Sequence, residues 1–144
     1  MLEPPAVRLF EDSAQFSFAN PAAIRSPGGL ITRPEGRLDV LTRVVAVIGL
    51  DGAIGGWTGL AEWRAPELAP PKDRDFALVL GPAVETELAD GFDWEAARAL
   101  AKLNTRLRPG DLLAGPPLAV HEDVASGSLE VEIDGIGTLG AIVA

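Results

Sequence analysis

Glycine and proline interrupt this chain so often that only one stretch is free to form a long helix. With 16 Gly and 12 Pro in 144 residues, helix-period patterning is confined to Asp93–Leu107, DWEAARALAKLNTRL. There Trp94, Ala97, Leu100, Ala101 and Leu107 share one broad face, Asp93 can cap the first turn and Glu95 suits its positive end. The remainder reads as short strands and turns. Val44–Leu50 and Ile54–Leu60 flank Asp51-Gly52, while Ser128–Ile133 and Ile136–Val143 flank Asp134-Gly135. Asp-Gly between β-rich runs predicts a hairpin with a type I′ turn, in which both central residues take positive φ. Leu129, Val131 and Ile133 alternate with Glu130, Glu132 and Asp134, as expected of a sheet with one buried face. Phe76–Leu80 reads as a buried strand, Leu112–Ala114 as a strand after the turn Arg108–Asp111, and Gln15–Phe18 as a candidate strand. The expected fold is mainly β, in the α+β class, with one principal helix and a single domain over residues 1–144.

Composition narrows the chemistry. A hydrophobic fraction of 47% suits a globular chain with a real core. The net charge of −9 sets a phosphate backbone at a disadvantage, so no nucleic-acid partner is expected, although a local pair of arginines can still hold a small anion. Zero cysteines and one histidine exclude disulfides, thiolate nucleophiles and multi-histidine metal sites. No apolar run reaches the ~20 residues of a membrane span, and the first residues lack the basic start and apolar core of a secretory signal. A cytoplasmic location without a membrane partner is the expectation. His121 reads as a surface loop residue, and Trp57, Trp63 and Trp94 as packing residues.

Four segments, in order, resemble the fumarylacetoacetate hydrolase family. They are FANPAAIRSPGGLITRP, LDVLTRVVAVIG, the stretch GGWTGLAEWRAPELAPPKDRDFALVLGP, and LRPGDLLAGPP with LEVEIDGIGTLG. The likeness runs from about residue 16 to residue 144 and implies the family's mixed β-sheet roll, with no room for an upstream lid before Phe16. It also implies a homodimer. Family members usually hold Mg²⁺ or Mn²⁺ with a Glu-x-Glu pair on one strand face and a third carboxylate. Here those positions fall on Leu41, Arg43 and Glu62. Leucine coordinates nothing, arginine repels a cation, and one carboxylate does not compensate a reluctantly dehydrated ion. No metal and no other cofactor are therefore expected.

If the backbone is kept, Arg43 points into the former metal position and Glu62 faces it as a bidentate partner. The other reading leaves Arg43 in solvent and Glu62 at the surface. The family's catalytic lysine aligns with Arg74, which keeps the charge but cannot act as a base. Lys72 shares its face if the segment is extended, with Asp73 and Asp75 flanking, or else KDRD is a solvated cluster. An arginine of the family is replaced by Pro66, and a hydroxyl-bearing loop reads Gly115-Pro116-Pro117. The candidate substrate-binding residues are Arg43, Glu62, Arg64, Lys72 and Arg74, with no catalytic residue assigned. Two functions follow. One is a protein binding a small carboxylate of the 2-oxo-acid type, its C–C hydrolase or decarboxylase chemistry lost or made metal-independent. The other is a non-catalytic pseudoenzyme or scaffold subunit, pairing with itself or an intact relative.

Overall fold

The longest pair of strands supplies the spine of the molecule. The computed structural model describes residues 4–81, 91–133 and 135–144. Strands are numbered in chain order: β1 Val7–Asp12, β2 Gln15–Ala19, β3 Ile24–Arg25, β4 Leu30–Ile31, β5 Asp39–Ile48, β6 Ile54–Arg64, β7 Leu78–Leu80, β8 Leu112–Ala114, β9 Ala119–His121, β10 Gly127–Ile133 and β11 Gly137–Val143. Helix α1 spans Trp94–Lys102. β5 and β6 pair antiparallel along almost their whole length. β5 reads DVLTRVVAVI, a run rich in β-branched residues that is buried on both faces, which is the composition of a central strand.

The large sheet runs β2-β1-β8-β5-β6-β7-β3, with β9 also paired to β5. β8 and β9 share one edge of β5, meeting residues 45–47 and 40–42 respectively. The pairs β1–β8 and β3–β7 are parallel and the others antiparallel, so the sheet is mixed. The two outermost strands, β2 and β3, are joined directly by residues 20–23. That link spans at most roughly 18 Å, whereas a flat sheet would hold its first and seventh strands about 29 Å apart. The sheet must curl. Its inner face accordingly gathers side chains from strands near both ends: Val7 and Leu9 of β1, Ile24 of β3, Leu60, Leu78 and Leu80.

The opposite face is covered by two other elements. A small sheet, ordered β10-β11-β4, lays Val131, Ile133, Leu139 and Val143 against Val40, Val44, Ala61 and Trp63. Ile133 approaches so closely that a Cβ at Gly59 would lie 2.6 Å from its terminal methyl group. Further along, α1 seats Ala97 and Ala101 on Phe10, Ala46, Ile48 and Leu113. The architecture is thus a curled mixed sheet with one principal helix, as the patterning and the family resemblance imply.

Several boundaries differ from the sequence reading. The helix stops at Lys102, because Leu103 turns extended and Asn104 takes a left-handed φ of 58°. Leu107 reaches the same apolar cluster from outside the helix. The first hairpin does not close in a two-residue turn: residues 49–53 form the loop, only Gly52 has positive φ (81°), and Leu50 is 94% exposed rather than part of a strand. Asp51 accepts instead from the Ala53 amide at 3.0 Å, the local alternative its short side chain offers. In the second hairpin Ile133 pairs with Gly137, and Asp134 lies outside the described residues, as does the acid-rich segment 85–90. The apolar run Phe76–Leu80 is a strand only over Leu78–Leu80, and β1, unread in the sequence, is central to one half of the sheet.

A buried arginine–glutamate cluster as candidate functional site

Strand alternation decides which side chains meet on the inner face. Leu41 stands opposite Glu62 and Arg43 opposite Leu60, so Arg43 and Glu62 are diagonal neighbours pointing to the same side. Both are completely sealed from solvent. Arg43 Nε donates to Glu62 Oε1 at 2.9 Å. Its Nη1 donates to the carbonyls of Phe10 at 2.9 Å and Gly115 at 3.0 Å. Its Nη2 is buried without a hydrogen-bond partner among the described residues and faces Glu11 Oε1 at 3.8 Å.

The second oxygen of Glu62 is also taken. Arg64, two residues along the same strand face, donates Nε to Oε2 at 2.7 Å. Arg74 reaches the same oxygen with Nη2 at 3.4 Å from the turn after Pro71. Arg64 and Arg74 keep about a third of their side chains in solvent, 28% and 34%. The cluster therefore has a dry end at Arg43 and a wet end at Arg64 and Arg74. Three guanidinium groups face one buried and one half-exposed carboxylate, leaving one positive charge in excess inside an acidic protein.

Electrostatics follow from this inventory. Burial alone would raise the Glu62 carboxyl, but the combined fields and hydrogen bonds of Arg43, Arg64 and Arg74 hold it below the usual carboxylate range. Burial pushes the Arg43 guanidinium down from its ordinary value, against the opposing pull of Glu62 and Glu11. It stays charged at any pH at which the fold exists, since guanidinium starts so high.

The structure brings Arg43, Glu62, Arg64 and Arg74 together and leaves Lys72 outside. The segment 70–75 is a turn rather than an extended strand, so alternation does not place Lys72 beside Arg74. Lys72 points to solvent and pairs with Asp75 at 3.0 Å. Glu11 and the two backbone carbonyls on Arg43 were not visible in the sequence, because β1 and the loop after β8 reach Arg43 only through tertiary packing. Trp63 packs in the core on the other face of β6 from Glu62, and Trp57 is half-buried there. His121 ends the exposed strand β9, paired to Val40, away from the cluster. Gly115, Pro116 and Pro117 border a separate small pocket of about 140 Å³ with Trp94.

A divalent cation does not fit these donors. Leu41 offers none, Arg43 occupies the space in front of Glu62 Oε1, and both Glu62 oxygens already accept from guanidinium groups. Among the described residues no group of three metal-ligating side chains exists. Beside the wet end lies a pocket of about 480 Å³, with Arg74, Asp73 and Asp75 on its wall and Leu9 and Phe18 among its apolar lining.

No family model and no curated protein matches the sequence. Solved structures match throughout the chain. Maleylpyruvate hydrolase from Sphingobium sp. SYK-6 superposes with a TM-score of 0.78 at 17% identity, covering 100% of this chain and 71% of that one. 5-Carboxymethyl-2-hydroxymuconate delta-isomerase from Mycobacterium smegmatis gives 0.79 at 17% identity, covering 99% and 80%. Fumarylpyruvate hydrolase from Pseudomonas aeruginosa, solved with Mn²⁺ and pyruvate, gives 0.75 at 17% identity, covering 99% and 91%. At such identities the likeness is one of fold, and the curled mixed sheet of this chain, from its first described strand to its last, is the fold of the fumarylacetoacetate hydrolase family.

Proposed function

We propose that the chain binds a small carboxylate of the 2-oxo-acid type at the wet end of the arginine cluster, without a divalent metal. The metal-dependent C–C hydrolase or decarboxylase chemistry of the fold family is, in this reading, lost or replaced by a metal-independent reaction. One observation carries it: a sealed Arg43 and two further arginines bond both oxygens of Glu62. A fixed guanidinium thus stands where the family resemblance implies a metal ligand, and the surplus positive charge emerges at Arg64 and Arg74. Arg74 makes one long hydrogen bond, so its remaining donors can fork onto a carboxylate. If a reaction survives, these guanidinium groups would meet developing enolate charge in a partly desolvated site.

A second reading, a non-catalytic binder or scaffold subunit, is favoured by a specific feature. Glu62 is fully engaged, and each of the three arginines already has a carboxylate partner. Glu11 stands 3.8 Å from Arg43 without a hydrogen bond to it. A homodimer remains part of the proposal, resting on the family resemblance, and light scattering after size exclusion tests it. Among the described residues no helix is long and apolar enough to cross a membrane.

The test is thermal unfolding with Mn²⁺ or Mg²⁺ and a panel of 2-oxo acids, separately and together. The metals alone should leave the midpoint in place. A binding carboxylate at a hundred times its dissociation constant should stabilise by about 2.7 kcal/mol, and Arg74→Ala should remove that gain. Strong stabilisation by either metal would overturn the account. Turnover of a stabilising acid separates an enzyme from a binder.

A further inference from the structure

The pocket beside the cluster is furnished for one negative charge and not for two. Among the described residues that line it, Arg74 is the one cation, whereas Asp73 and Asp75 bring two carboxylates to the same wall. Lys72 stands outside this lining and is spent on Asp75 at 3.0 Å. The turn thus sets Lys72 against Asp73 and Asp75 and cancels the one surplus positive charge of the cluster. Asp73 Oδ1 is sealed from solvent and offers a ligand no contact. Repulsion needs none, because charge acts over several ångströms where little water screens it. What remains for the far end of a ligand is neutral. Ser17 presents a hydroxyl, and the Asn20 amide accepts from Ala22 at 3.0 Å and donates to Asp75. Leu9, Pro70 and Pro71 supply apolar wall.

We propose that this pocket selects monocarboxylates with an uncharged, largely apolar body and turns away dicarboxylates of the same length. The carboxylate takes Arg74, whose side chain is 34% exposed, and the body lies against Leu9 and the two prolines. A second carboxylate would give up water to apolar wall, find no cation, and approach Asp73 and Asp75. At about 480 Å³ the pocket is within the usual range of small-ligand sites, so the far end of a short acid stays among these groups. The inference rests on the reading above that Arg74 receives a carboxylate, and it narrows the kind of carboxylate.

Calorimetric titration without metal of 2-oxohexanoate, 2-oxoadipate and the distal monoamide of 2-oxoadipate tests it, since they differ only at the far end. 2-Oxohexanoate should bind roughly tenfold or more tighter than 2-oxoadipate, and the neutral monoamide should lie nearer to 2-oxohexanoate. Ser17→Arg, which sets a cation on an exposed part of the wall, should narrow the gap roughly tenfold. Arg74→Ala should erase binding of every member. The monoamide comparison needs no variant, so it decides the matter even if Ser17→Arg does not fold. 2-Oxoadipate binding as tightly as 2-oxohexanoate overturns the selection and leaves the carboxylate reading standing. A monoamide as weak as 2-oxoadipate, or a gap untouched in folded Ser17→Arg, overturns charge as its cause. Failure of all three to bind overturns both readings together.

Discussion

Glu62 is held by three guanidinium groups, whereas Arg43 meets one buried carboxylate and two carbonyls, so their removal should have unequal consequences. Glu62→Gln leaves a sealed guanidinium whose one remaining charged partner among the described residues is the half-exposed Glu11, and breaking a buried pair from one side costs about 3–5 kcal/mol. Arg43→Met leaves Glu62 with Arg64 and Arg74, and the main loss is the partner of the Phe10 and Gly115 carbonyls, about 1–3 kcal/mol. Urea unfolding of the two variants should give that order, and the reverse order would show that Arg64 and Arg74 contribute little. Acid titration probes the same carboxylate. Its folded pKa lies below the ordinary value of about 4.3, so its stabilising contribution is complete above that pH. It is lost as pH falls through the folded pKa. Wild-type stability should therefore decline below about pH 4.3, and Glu62→Gln should flatten the decline. Asp75, also lowered by Lys72 and Asn20, leaves a residual slope.

At the scale of the element, local chemistry was legible where the element stabilises itself. The start of α1 is an example: Asp93 caps it through the Ala96 amide at 3.0 Å, with Glu95 in the first turn and Lys102 in the last. Asp93→Ala should cost about 1 kcal/mol, read as a fall in the denaturation midpoint. An unchanged midpoint would mean that packing of Ala97 and Ala101 alone holds the helix. The alternation in β10 was equally readable, with Val131 and Ile133 inward and Glu130 and Glu132 outward. The end of α1 was not, since Asn104 breaks a pattern that Leu107 continues. β1 was missed because VRLFE has both faces buried, Val7 and Leu9 on one and Phe10 on the other, and so shows no period. The pairing of Arg43 with Glu62 needed only the side-chain period of a strand. Glu11, Phe10 and Gly115 needed the parallel docking of β1 on β8, which no local pattern encodes.

Across the whole molecule, β5 contributes to every apolar cluster: Val40 and Val44 to the one under the small sheet, Val45 to the inner face, and Ala46 and Ile48 to the one under α1. A strand shared in this way leaves no cluster able to melt alone, so a single cooperative transition is expected. The tryptophans make this measurable, because Trp63 lies in the first cluster, Trp57 and Trp94 pack against both the first and the third, and none of the three belongs to the inner-face cluster. Leu60→Ala removes a fully buried side chain from that inner face, at a cost of about 2–5 kcal/mol. The loss should lower the denaturant midpoint of tryptophan fluorescence and of far-ultraviolet circular dichroism together and by the same amount. If the fluorescence midpoint stayed in place while the dichroism shifted, the inner face would unfold as a separate unit. The arginine cluster, which sits on that face, would then be a feature of a detachable layer. Coincident shifts instead tie the geometry around Glu62 to the stability of the entire roll, and with it the position of Arg74 at the mouth of the pocket.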